Sequence, residues 1–284
     1  YLKKTKKERH AKWFPELVKD VEQRQKNLAN QTVEWPDDQR ESDAYKEKIT
    51  KIAQERMGKD LKPAQRSSFL NRVIRRFASI MWISGCAAPR VRGYQAHIDL
   101  KEDALPRVSQ PFPQSEFDTI RTQCHIDEYV ADGKFTWLQP GEQVEWASPA
   151  FCVDQEGKGL MGRPVFDYRY PNSQTKDNAW PSKNSAAFIE RAQRARRSTT
   201  GDCIWGFTQI PLDNATPELL TLTTTRGLLR PNVLVFSPKQ GPAIMQQLMD
   251  TAIETDAEGQ LPLRDEGGEL IACAFIDDLL IGTQ

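Results

Sequence analysis

The sequence predicts an α+β protein. The first eighty or so residues are charged, poor in glycine, and carry apolar residues at helical spacing. From Ala96 onward, short apolar and β-branched runs alternate with capped helices. Near the end, two such runs flank a pair of adjacent aspartates, Asp277 and Asp278.

At 284 residues the chain has room for one large domain or two ordinary ones, and an apolar share of 38% supports a core. The mean hydropathy of −0.63 leaves much of the chain solvated. Lys+Arg and Asp+Glu both number 39, so the net charge is zero. That argues against binding polyanions by bulk charge and leaves room for local basic patches. Cys86, Cys124, Cys152, Cys203 and Cys273 lack zinc spacing, and several lie in apolar runs. They read as buried free thiols of a reducing compartment. With no signal peptide and no bilayer-spanning apolar run, the expectation is an intracellular protein of cytoplasm or nucleus, not secreted and without a membrane partner. The chain begins at Tyr1 rather than Met and stops shortly after Asp278, which reads as a piece of a longer polypeptide.

Taken in order, Trp13, Phe14, Leu17, Val18 and Val21 recur at helical spacing behind a basic start, and Asp43 to Met57 is a second charged helix. From Leu61 to Ile80 every ionisable residue is basic: Lys62, Arg66, Arg72, Arg75 and Arg76. Phe69, Val73 and Phe77 share one face there, a pattern open to two readings, a nucleic-acid or partner surface and a solvated helix face. Gly85, Pro89 and Gly93 mark a boundary, so residues 1–90 form a helical N-terminal segment of undefined role. Ala96 to Leu100 reads as a short strand, Pro106 to Pro113 as extended chain, and Ser115 as the cap of a helix that Gly133 ends. His97 and His125 have no acid or thiol at ligand spacing and read as structural. Trp146–Val153 and Arg163–Arg169 read as a β-hairpin whose glycine-rich tip offers Lys158 and Arg163 to a polyphosphate. Ala186–Arg197 is a basic helical stretch, and Asp202 heads a strand-like run with Phe207 five residues on. Leu220–Phe236 holds strand-like runs broken at Gly227 and Pro231. Gly241-Pro242 opens a helix with Ile244, Leu248, Met249 and Ile253 on its buried face, and Glu258–Gly268 is a loop.

Leu270–Gly282 then reads as two strands joined by a tight turn that carries the acids. Carboxylates between apolar strands are costly unless a cation or hydrogen bonds compensate, and hard oxygen ligands suit magnesium. An Asp-Asp hairpin tip in water is the plainer alternative. With Asp202 in the same sheet, three carboxylates would converge, as phosphoryl transfer by two metal ions requires.

The order of parts resembles a reverse transcriptase, most of all the polymerases of gypsy-type LTR retrotransposons and retroviruses. The parts are Trp146-Ala-Ser-Pro149, Arg163-Pro-Val-Phe-Asp167-Tyr-Arg169 with Asn172, Asp202 through Ile210, Gly241 through Met249, and Phe275-Ile-Asp-Asp278, within about Ala96 to Gln284. The resemblance implies a right-hand polymerase: fingers and a palm of antiparallel sheet backed by helices, over 91–284, ending before the thumb. It implies Asp202, Asp277 and Asp278 as the catalytic acids, with Asp202, Asp277 and the carbonyl of Cys203 holding two Mg2+ ions, or Mn2+ in their place. Lys158, Arg163, Phe207 and Phe236 would meet the incoming dNTP, Phe207 as the steric gate under the sugar. Phe275, Ile276 and Arg169 would lie along primer and template. The implied partners are an RNA or DNA template with primer, dNTP, and downstream thumb and RNase H parts of one polyprotein, a setting that admits a virus-like particle.

A ring at position 207 fills the space of a 2′-hydroxyl and favours DNA synthesis. Two departures stand out. The fingers turn from Asp154 to Gly162 is long and lacks a run of lysines, and Val235-Phe236-Ser237-Pro238 replaces a usual Pro-Phe-Gly or Pro-Gln-Gly. The altered stretch admits a second reading, a catalytically silent retroelement-derived scaffold that binds nucleic acid or protein. An RNA-dependent RNA polymerase and an unrelated two-metal nuclease are further alternatives.

Overall fold

The computed structural model describes residues 6–31, 34, 36, 39–58, 60–83, 85, 86, 89–180, 190, 193, 197–254 and 272–283. They fall into two compact units, one of Gln25–Pro89 and one of Tyr1–Arg24 with Arg90–Gln284. Helix α1, Lys6–Ala29, therefore begins in the larger unit. Leu17 and Val21 on its apolar face pack on Phe117, Cys124 and Met161. His10 stacks on Phe117 with ring centroids 4.0 Å apart, and Arg24 donates to Glu128 at 2.8 Å.

The smaller unit is helical. α2, Asp43–Arg56, starts at Ser42, whose side chain accepts from the Tyr45 amide. α3, Pro63–Phe69, runs straight into a π-helical turn, Leu70–Ile74. Tyr45, Ile49, Ile74, Ala78 and Cys86 form the core, and the buried Tyr45 hydroxyl donates to the Met81 carbonyl at 2.5 Å.

In the larger unit, Ser115 caps α4, Glu116–Ala131, by accepting from Asp118, and Gly133 leaves the helix at φ 65°. Strands β1 (Phe135–Trp137), β2 (Ser148–Val153) and β3 (Arg163–Phe166) follow. The chain then turns into α5, Arg169–Gln174, and β4, Arg197–Asp202. α6 (Thr216–Leu219), β5 (Leu222–Thr224) and β6 (Gly227–Pro231) lead to α7, Gly241–Glu254, and to β7 (Ala272–Phe275) and β8 (Asp278–Thr283). One sheet has five strands in the order β1-β6-β5-β2-β3, with β2 and β5 parallel; the other has three in the order β4-β8-β7, all antiparallel. Ile253 and Met249 of α7 pack against Ala274, Leu279 and Ile281 of the smaller sheet. The main core joins α4, the five-stranded sheet and α7 through residues such as Ile126, Phe135, Phe166, Leu222 and Ile244. Mixed helix and sheet, with a small antiparallel sheet backed by a helix, is thus observed.

Several local expectations are corrected. Ala96–Leu100 makes isolated bridges, Ala96 to Leu212 and Leu100 to Thr175, rather than a strand. β3 stops at Phe166, because Asp167 turns its carboxylate onto the Arg169 amide and guanidinium and opens α5. Asp202 closes β4 instead of heading a strand. His97 does have acidic neighbours: Asp213 at 2.5 Å and Asp99 at 3.5 Å, brought in from a distant segment and from two residues on. Ala186–Arg197 lies largely, and Glu258–Gly268 wholly, outside the described residues.

The β2–β3 hairpin rests on a buried cation. Arg121 of α4 is fully buried. It donates to Asp118 at 2.6 Å, to Asp154 at 2.8 Å and to the Leu160 carbonyl at 3.2 Å. Gly162, at φ 61°, lets the hairpin close, since a Cβ there would stand 2.2 Å from the Val153 carbonyl oxygen. Removing the guanidinium takes from the buried Asp118 its charged partner at 2.6 Å, so Arg121→Ala is expected to lower the unfolding free energy by about 3–5 kcal/mol in a denaturant titration.

Candidate functional site

The register of the small sheet builds the site. β4 and β8 pair so that Asp202 lies opposite Asp278, and Phe275 of β7 lies opposite Asp278 on the other side. Asp277 sits in the β7–β8 turn, and its carbonyl accepts from the Cys203 amide at 3.1 Å. Three carboxylates thus share one end of one sheet. Among the described residues no lysine or arginine forms an ion pair with them. Nor are three acidic, thiol or imidazole groups among the described residues already closed around one ion position. The Cys203 carbonyl accepts from the Gly206 amide at 2.9 Å, and a carbonyl oxygen keeps a second lone pair. Burial first, then Asp202, Asp277 and Asp278, push the Cys203 thiol above its ordinary pKa. Gly206 permits this crowding: a Cβ there would meet Asp277 Cβ at 3.2 Å and the Met245 methyl at 2.9 Å.

A second cluster gathers three of the side chains that the sequence resemblance assigned to a nucleotide. The Phe207 and Phe236 rings lie 5.6 Å apart at 50°. The Arg163 guanidinium covers Phe236 at 5.6 Å. Gly241 leaves room for Phe207, whose ring edge would stand 3.5 Å from a Cβ there. Arg163, Phe207 and Phe236 are therefore brought together. Lys158 stays exposed at the hairpin tip. Arg169 is exposed and gripped by Asp167 at 2.6 and 2.7 Å, which holds the Asp167 carboxyl below its ordinary pKa.

Backbone strain concentrates at this site. Among the described residues, the non-glycine residues at positive φ are Trp205 (52°), Ser237 (85°) and Ile276 (58°). A β-branched residue in that region is a true outlier. Trp205 follows β4, Ile276 leads into Asp277, and Ser237 follows Phe236. Ser237 adopts the geometry that the expected glycine would favour, so the departure from Pro-Phe-Gly leaves this turn intact. Asn172 clamps it, donating to the Ser237 carbonyl at 2.9 Å and accepting from the Lys239 amide at 2.8 Å.

Sequence reasoning assigned no role to Gln246, buried on α7. Its side chain accepts from the Ile276 amide at 2.9 Å and donates to the Ala274 carbonyl at 3.2 Å and to Asp250 at 2.9 Å. Trp180 donates to the other Asp250 oxygen at 3.0 Å. Amides on the buried side of a helix were the signal available.

The fold is that of a reverse transcriptase: the chain matches the protease–reverse transcriptase of prototype foamy virus with a TM-score of 0.58 at 18% identity, over 85% of this chain and 29% of that one. In sequence it is 30% identical over 191 residues to a polyprotein of Cassava vein mosaic virus, covering 66% of this chain and 28% of that protein. It is 28% identical over 189 residues to the enzymatic polyprotein of Cauliflower mosaic virus (strain D/H), covering 66% of this chain and 26% of that protein. The chain therefore spans little more than a quarter of the length of the relatives it matches. No family model matches it. Among the described residues no helix is long and apolar enough to cross a membrane.

Two outcomes are expected. Gln246→Leu should cost about 2–3 kcal/mol of stability, since it leaves buried backbone groups unpaired, and should speed hydrogen exchange at the Ile276 amide. Ser237→Gly should raise stability by about 1 kcal/mol in a thermal melt, by relieving the left-handed backbone.

Proposed function

We propose that this chain carries the fingers and palm of an RNA-directed DNA polymerase from a gypsy-type or related retroelement polyprotein, adding dNTP to a primer 3′-hydroxyl on an RNA or DNA template. The carrying observation is the register that sets Asp202 opposite Asp278 with Asp277 beside them. The donor set is hard carboxylate oxygen, which suits Mg2+ or Mn2+. Asp202 and Asp277, with the Cys203 carbonyl, would hold two such ions. When bound, they supply acidity to the attacking hydroxyl and charge for the leaving pyrophosphate.

The chain's own residues do the rest. Asp278 adds negative charge that helps retain cations at the sheet end. Arg163, stacked on Phe236, offers a planar donor fork to a triphosphate. Phe207, wedged between Phe236 and Gly241, fills the space a 2′-hydroxyl would need. Phe275, next to Asp278 in the sheet, and the strained Ile276 would border the primer end. Lys158 and Arg169 are exposed cations, and they would meet the triphosphate and the template phosphates respectively. Downstream thumb and RNase H parts of the polyprotein would hold the duplex, and the setting is intracellular.

The test is primer extension on poly(rA)/oligo(dT) with Mg2+ and dTTP or UTP, on the chain extended by its native downstream sequence. Incorporation of dTTP is expected, with Asp202→Asn and Asp277→Asn reduced at least about 1,000-fold, the scale of removing preorganised charge stabilisation. Arg163→Ala should raise KM for dTTP about 10-fold or more, as lost charge-assisted hydrogen bonds require. Phe207→Val should admit UTP. Full activity in Asp277→Asn overturns the site. No extension with the duplex still bound favours the silent scaffold.

A further inference from the structure

The smaller unit carries a surface that the catalytic reading leaves unused. On α3 and the turns after it, Phe69, Val73, Phe77 and Ile80 stand exposed in one row; Ile80 is 77% accessible. Every ionisable side chain between Leu61 and Ile80 is a cation. Arg66 is spent on the Leu61 and Gly58 carbonyls, and Arg75 pairs with Asp43 at 3.5 Å. Lys62, Arg72 and Arg76 are exposed beside the row, and the Arg76 guanidinium lies over the Phe77 ring at 5.4 Å. The π-helical turn produces this presentation: the Arg75 amide reaches back to the Leu70 carbonyl at 2.8 Å, Ile74 is buried, and Val73 and Phe77 are left outside. Such turns recur at functional sites.

We propose that this ridge binds single-stranded nucleic acid. Rings half open to water offer flat faces to bases, and arginines alongside them meet phosphates and stack on bases in turn. The charge is complementary to a polyanion, although the whole chain is neutral. An acidic partner helix fits the observations less well. It would need a regular heptad seam, whereas the row runs from α3 across the π-helical turn, which interrupts its spacing. The ridge stands in the unit without the aspartates, so the inference does not depend on the polymerase reading.

The test uses the full chain and a fluorescein-labelled oligo(dT) of about 12 nucleotides, within the usual site size. Binding is followed by anisotropy across a salt series. Phe69→Ala and Phe77→Ala should each weaken binding about 5- to 100-fold, the range for one lost base stack. The double change Arg72→Gln, Arg76→Gln should flatten the log–log salt slope by about 1.4. With 5-iodouracil in the strand, photocrosslinks should map to Phe69 or Phe77. These side chains are exposed, so the variants should keep the wild-type melting curve. The charge variant gives a second reading should a ring variant melt early. Affinity and salt slope unchanged in all variants, or crosslinks wholly outside residues 61–80, would overturn the proposal.

Discussion

The antiparallel pairing of β4 with β8 is the constraint on which the site depends. Asp202 and Asp278 come from segments far apart in the chain, and nothing local would bring them together. Like charges held at one sheet end repel. The ladder from Arg197–Thr283 to Asp202–Asp278 holds them there with backbone hydrogen bonds that do not depend on side-chain identity. The Cys203–Asp277 bond extends it one residue past the last pair. Strain is placed where this framework is firm enough to bear it: Ile276 lies between β7 and β8 and is also held by Gln246.

How much of this was legible in the sequence varies by element, for physical reasons. The β7–β8 hairpin was readable because apolar runs of strand length flank the acids. The cap at Ser115 and the stop at Gly133 were readable because both follow from one residue's local chemistry. β4 was not readable: Arg-Ser-Thr-Thr-Gly-Asp lacks the apolar alternation that marks a strand, and it forms one because β8 offers a paired edge. The reach of His97 to Asp213 was hidden in the same way, since sequence spacing says nothing about segments that tertiary structure brings together.

The candidate site shows the same division. The acids, Arg163, Phe207 and Phe236 were named from pattern and resemblance. The meeting of Arg163 with Phe236 and Phe207 is a tertiary fact. The loss of a glycine before Pro238 looked like a departure with consequences. Ser237 instead takes up the glycine-like backbone, with Asn172 bracketing the turn from both sides. Gln246 was overlooked because its role is to satisfy backbone groups of another element.

Arg121 has a consequence for how the hairpin can move. One guanidinium ties α4 through Asp118 to the end of β2 through Asp154 and to the hairpin tip through the Leu160 carbonyl. Gly162 removes the slack by seating the backbone directly against Val153. A hairpin riveted in this way cannot curl at its base like a flap. Arg163, at the start of β3, is thereby held in a fixed relation to α4.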